Sequence, residues 1–174
     1  MGKVKKVTSM EIIKTPSPNF NDRKGCSQPS LIIVHYTGTK TADEAAAYYL
    51  NTTTDPNAGP ISPHYMIDAD GTLFQFVDED KRAWHAGVST WKGETDINSL
   101  SIGIELVNEG EYADYPPFAD AQIDMLVTLC RAIQARYDIP AADVIGHDDI
   151  APDRKKDPGP SFPWTEFRKR LKDI

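Results

Sequence analysis

Apolar positions along the chain fall into two spacings, and each predicts its own elements. Leu31-Ile32-Ile33-Val34-His35-Tyr36 is a continuous β-branched run, the pattern of a strand buried on both faces, and it delivers His35 at its carboxyl end. Residues 101–107 alternate instead: Ile102, Ile104 and Leu106 share one face, so Glu105 points away from them. Residues 64–68 and 72–77 are short strand-like runs joined by Ala69-Asp70-Gly71, a hairpin signal, and residues 143–146 form a short strand that ends at His147. Helical spacing begins at Thr41-Ala42-Asp43-Glu44, a capping box that opens an Ala-rich helix to about Leu50. After Pro116-Pro117, the residues Ile123, Leu126, Val127, Cys130, Ile133 and Tyr137 recur at a helical period and predict the longest helix, over about 119–137. A short helix over 164–171 follows, with Lys169, Arg170 and Lys172 where cations suit the helix dipole.

Between these elements lie two segments of another kind. Residues 1–30 set Pro16, Pro18 and Pro29 among short apolar pieces, which predicts an arm ordered by its contacts with a main domain over 31–174. The stretch from Asp148 to Pro163 holds four prolines, and a loop of that length calls for a function. A length of 174 residues fits one domain, and 40% apolar with 26% charged residues is enough to fill its core. The net charge of −7 lacks the positive footprint that phosphate backbones require, so nucleic acid is not an expected partner. No apolar run approaches the length of a membrane span. Met1 to Lys6 begins like an export signal, but no apolar stretch follows, so the chain as written is expected in the cytoplasm, or in the cell envelope if an upstream signal has been removed. Cys26 and Cys130 are read as reduced.

The chain has no G-x-S-x-G elbow, no phosphate-binding glycine loop and no H-E-x-x-H. It has four histidines, and two of them, His35 and His147, end apolar strands, the edge where α/β folds place ligands and catalysts. Asp157 follows His147 by ten residues, so a His, His, Asp set can close three corners of a tetrahedral zinc and leave the fourth to water. Singly, each residue also has a plain reading: a strand-end histidine is commonly a hydrogen-bonded structural group, Glu105 a solvated strand residue, and Arg154-Lys155-Lys156 a solvated charge run. Together they meet the needs of metal-assisted amide hydrolysis, with ligands, a carboxylate to take a proton from water and a cation for the developing oxyanion.

Three stretches carry a resemblance. Ala83-Trp84-His85-Ala86-Gly87-Val88-Ser89, Asn98-Ser99-Leu100-Ser101-Ile102-Gly103-Ile104-Glu105-Leu106 and Gly146-His147-Asp148-Asp149-Ile150-Ala151-Pro152-Asp153-Arg154-Lys155-Lys156-Asp157-Pro158-Gly159-Pro160 resemble the zinc-dependent N-acetylmuramoyl-L-alanine amidases of the AmpD and AmiD type. Ser17-Pro18-Asn19-Phe20 and Val34-His35-Tyr36-Thr37 extend the match over about 16–168. The resemblance implies a single α/β domain, a central mixed β-sheet flanked by helices, shared with peptidoglycan recognition proteins. It implies Zn2+ held by His35, His147 and Asp157, with Glu105 as general base and Lys155 as the oxyanion cation. Tyr36, Trp84 and His85 are candidate substrate-binding residues, and His64 is expected to be structural or to support the ligands from outside. The implied substrate is the amide between the muramic lactyl group and L-alanine, in muropeptides or intact peptidoglycan. A muropeptide-binding module without catalysis, and a zinc amidase cutting another stem-peptide amide, are the alternatives.

Overall fold

The computed structural model describes residues 10–52 and 59–172. The export-signal reading of residues 1–6 and part of the loop expected at 51–63 lie outside them. The chain order is β1 (Ile12–Lys14), β2 (Phe20–Asp22), β3 (Leu31–Tyr36), α1 (Ala42–Leu50), β4 (Tyr65–Ile67), β5 (Leu73–Gln75), β6 (Lys81–Ala83), α2 (Ile97–Leu100), β7 (Ser101–Leu106), α3 (Asp120–Tyr137), β8 (Val144–Gly146), α4 (His147–Ile150) and α5 (Trp164–Lys172). β1, β5, β4, β7, β3 and β8 form one mixed sheet in that order, while β2 and β6 make a separate antiparallel pair. β4, β7, β3 and β8 are mutually parallel, and β5 opposes β4 across the expected hairpin.

The β-branched run over 31–36 takes the interior position its composition predicts, between β7 and β8. One sheet face carries Ile32, Val34, Ile102, Ile104 and Leu106 and packs on α3 and α5 through Leu126, Leu129, Ile133 and Phe167. The other face carries two smaller clusters, Met66, Tyr49 and Phe76 on one side and Ile33, Ala86, Ile97 and Ile145 on the other. Ser101, Gly103 and Glu105 of β7 project into the polar gap between those clusters, because strand side chains alternate. The Thr41 box closes as its sequence predicts: the Glu44 N–H donates to Thr41 Oγ1 (3.2 Å) and the Thr41 N–H to Glu44 Oε2 (3.2 Å).

The segment read as an irregular arm is partly sheet. β1 pairs in parallel with β5, and β2 pairs with β6, so residues 12–22 extend the sheet system as well as lying against it. Arg23 then fastens the crossing to β3: Nη1 donates to the Ser99 and Ser101 carbonyls (2.6 and 3.0 Å), and Nε and Nη2 donate to the Glu79 carbonyl (3.1 and 2.7 Å). Asn19 does similar work, with Nδ2 donating to the Tyr49 and Ile61 carbonyls (3.0 Å each). Both thiols are unpaired.

Candidate metal centre and active site

Because β3, β7 and β8 run parallel, their carboxyl ends meet at one sheet edge, where the sequence delivers His35, Glu105 and His147. His35 is level with Glu105, and Val34 with Gly146, so His147, the first residue of α4, stands beside His35. Asp157 arrives from the proline-bounded loop, whose backbone is tied down where the Asp148 N–H donates to the Asp157 carbonyl (3.0 Å). His35, His147 and Asp157 are only 1%, 4% and 7% exposed, so bulk water does not solvate them.

Their facing atoms form a small triangle. His35 Nδ1 lies 2.7 Å from Asp157 Oδ2 and 3.0 Å from His147 Nδ1, and His147 Nδ1 lies 3.1 Å from Asp157 Oδ2. The far nitrogen of His147 sits 3.0 Å from the Ala86 carbonyl, which can only accept, so Nε2 carries a proton, and in the neutral ring Nδ1 is the lone pair. A bare imidazole nitrogen facing a carboxylate oxygen is an arrangement of lone pairs that needs a cation among them. Zinc bonds of about 2.0–2.1 Å would space tetrahedral donors about 3.3–3.4 Å apart. The triangle is narrower by a few tenths of an ångström, within reach of small side-chain rotations. Two imidazoles and one carboxylate, with a fourth direction open to the cleft, fit a zinc ion at a catalytic ligand count.

Burial pushes His35 down to about 4 despite its contact with Asp157, so the ring is neutral at neutral pH. Glu105 moves the other way: burial, then the charge of Asp157, raise it well above the ordinary value, and Lys155 opposes them. Glu105 Oε2 is buried and has no hydrogen-bond partner among the described residues. A carboxylate of raised proton affinity beside a donor triangle is suited to taking a proton and giving it back.

The triangle lies at the floor of a cleft of about 540 Å³, which Tyr36, Trp84, His85 and Lys155 also line. The Tyr36 ring covers Gly110, where a Cβ would overlap it, and Trp84 Nε1 donates to Asn21 Oδ1 (3.1 Å). His85 is occupied inside the protein, with Nδ1 2.9 Å from His35 Nε2 and Nε2 3.1 Å from Ser101 Oγ. Lys155 is half-buried and lines the cleft. Lys156 is solvated as read, its side chain 66% exposed, with Nζ donating to Glu111 Oε2 (3.1 Å). Arg154 departs from that reading: its Nη2 donates to the Ala86 and Val88 carbonyls (2.8 and 2.7 Å), bracing the loop that holds His147. A three-residue basic run gives no signal of which member turns inward. His64 is fully buried, its Nδ1 accepting the Gly103 N–H (3.0 Å) and its Nε2 donating to the Lys81 carbonyl (2.9 Å).

Residues 25–160 match the family model described as N-acetylmuramoyl-L-alanine amidase. The chain is 39% identical over 170 residues to the 1,6-anhydro-N-acetylmuramyl-L-alanine amidase AmpD of Citrobacter freundii, a match covering 91% of this chain and 89% of that one. It is 41% identical over 149 residues to the N-acetylmuramoyl-L-alanine amidase AmiD of Escherichia coli, covering 79% of this chain and 51% of AmiD. The crystal structure of a selenomethionine AmpD derivative is similar with a TM-score of 0.79 at 38% identity, over 92% of this chain and 94% of that one. E. coli AmiD in complex with the substrate anhydro-N-acetylmuramic acid-L-Ala-D-gamma-Glu-L-Lys gives 0.70 at 35% identity, over 87% and 65%.

Proposed function

The chain belongs to the N-acetylmuramoyl-L-alanine amidases, and on that premise we propose that His35, His147 and Asp157 hold a zinc ion, that Glu105 is the general base and that Lys155 is the oxyanion cation. The enzyme hydrolyses the amide between the lactyl group of N-acetylmuramic acid and the L-alanine of the stem peptide. One observation supports the assignment most directly: the donor triangle and the unpartnered Glu105 Oε2 sit side by side at one sheet edge, in register.

When bound, zinc supplies Lewis acidity, which makes water a nucleophile at neutral pH. Glu105 accepts the proton that water loses as its oxygen attacks the amide carbon. Negative charge collects on the carbonyl oxygen, and the Lys155 ammonium opposes it from the cleft wall. When the C–N bond breaks, Glu105 returns the proton to the departing nitrogen. The products are a lactyl carboxylate and a stem peptide with a free amino terminus. Tyr36 and Trp84 form the wall against which the sugar and peptide rest. The substrate class we assign is the 1,6-anhydro-muramyl peptide, since the name of AmpD and the complex of AmiD both carry that group.

Anhydro-muramyl peptide and intact sacculi, each digested with and without chelator and analysed by mass, test this reading. A free stem peptide from the soluble substrate, lost with chelator, is the expected result. Cleavage inside the stem peptide, binding without cleavage, or release from sacculi alone would each overturn a named part of it.

A further inference from the structure

Four imidazoles lie in a file across the polar gap of the sheet face: His64, His85, His35 and His147, with successive ring centroids 5.9, 5.1 and 4.6 Å apart. The mechanism above uses the last two. His85 is left with a defined set of partners that accounts for its place.

The bonding can be worked out from its far end. Ser101 Oγ lies 2.6 Å from the Ile97 carbonyl, which has no proton to give, so the hydroxyl spends its one proton there. Ser101 Oγ must then accept at its other contact, so His85 Nε2 carries a proton. A neutral His85 is therefore bare at Nδ1, and the group facing it at 2.9 Å, His35 Nε2, is the donor. That leaves His35 Nδ1 as a lone pair, aimed into the triangle with His147 and Asp157.

The surroundings are shaped for this ring. Gly103 lies in the middle of β7, and a Cβ built there would overlap His85, 2.6 Å from its Nδ1 and Cδ2. Asn98 Oδ1 accepts both the His85 and Ala86 N–H groups (3.1 and 2.8 Å), so one side chain fixes the two consecutive residues that face the far nitrogens of both histidine ligands.

We propose that His85 is a positioning residue of the metal centre, holding His35 in the tautomer that ligates through Nδ1, with Ser101 and Ile97 setting the direction of the relay. The inference rests on the zinc site proposed above. Outer hydrogen-bond partners of ligating histidines commonly account for 10- to 100-fold in metal affinity.

The test is the zinc dissociation constant of the full chain by chelator competition, read beside the visible spectrum of the cobalt-substituted protein, for the parent, His85→Ala, His85→Asn and Ser101→Ala. Asparagine places a carbonyl oxygen near the position of imidazole Nδ1 and preserves an acceptor for His35. Zinc binding should weaken about 10- to 100-fold in His85→Ala, recover to within a few-fold of the parent in His85→Asn, and weaken less in Ser101→Ala, where the ring stays in place. The cobalt spectrum should change in His85→Ala and return in His85→Asn. Equal affinity in all four proteins, or equal loss in the alanine and asparagine variants, would overturn the proposal. If His85→Ala does not fold, Ser101→Ala and His85→Asn decide it: parental affinity in Ser101→Ala, or an alanine-like loss in His85→Asn, counts against it. A parent that binds no zinc refutes the zinc site itself, a result distinct from either.

Discussion

Lys155 and Lys156 are chemically identical neighbours in one loop, yet one is half-buried in the cleft and the other is tied to Glu111. Losing a cation that opposes developing oxyanion charge slows the chemical step by ~100-fold, or about 2.7 kcal/mol, with little effect on binding a neutral amide. Lys155→Ala should therefore be nearly inactive with metal retained, while Lys156→Ala, which loses one exposed ion pair, stays within a few-fold of the parent. Turnover numbers at equal zinc occupancy decide it, and a reversed order would remove Lys155 from the mechanism. Glu105→Gln should keep fold and metal and lose turnover by orders of magnitude, since an amide orients water without accepting its proton. The sequence showed which way Glu105 points because strand alternation is local. It could not show that Arg154 braces the Ala86 and Val88 carbonyls, since that contact joins residues 68 apart.

His64 gives a second prediction at this scale. Burial pushes it down to about 4, whereas an unfolded chain returns it to about 6.5, so the unfolded state binds more protons between those values. Stability is therefore unaffected above about pH 6.5 and falls as pH drops from there toward 4, by about 3 kcal/mol in all. His64→Gln should be less stable at pH 7.5, where its two backbone partners lose the imidazole, and should show a shallower decline between pH 6.5 and 4. Urea midpoints across that range report it, and parallel pH curves for the two proteins would exclude His64 as the source.

At the scale of elements, legibility followed length and local turn or cap motifs, as at the Asp70-Gly71 turn between the short strands β4 and β5. β3 and α3 announce themselves because 6 and 18 residues are enough to display a period, and α1 because its capping box is a local motif. β1, β2 and β6 have three residues each and show no period; pairing across the sheet makes them strands. The arm is held by side chains as well as by strand pairing, and Arg23 donates to carbonyls on either side of the crossing. Arg23→Ala should cost roughly 2 kcal/mol, the range for hydrogen bonds to a charged group, with little change in zinc affinity. A denaturant midpoint equal to that of the parent would mean the strands alone carry the arm. Gly103 was a signal legible in principle, because a glycine inside a strand marks close approach, but the ring that approaches comes from a different segment.

For the whole molecule, the decisive fact is where the donors come from: β3, the start of α4 and the loop beyond it, with a sequence separation of 122 from His35 to Asp157. A ligand that binds only the folded chain stabilises it by mass action, about 2.7 kcal/mol at a free concentration 100 times its dissociation constant. Zinc should therefore raise the melting temperature of the parent and leave that of His147→Ala unmoved. An equal rise in both would place the metal elsewhere.

The same spacing gives the site a schedule. A ribosome releases His35 early, as part of a strand whose sheet neighbours β7 and β8 have not yet been made. Glu105 follows with β7 and His147 with β8, and Asp157 emerges last of the four. Until then the nascent chain has two of the triangle's three donors, so capture of a metal by all three has to wait for Asp157. A chain cut off before Asp157 would contain every strand of the sheet and still lack the third donor, so the first donor made waits for the last.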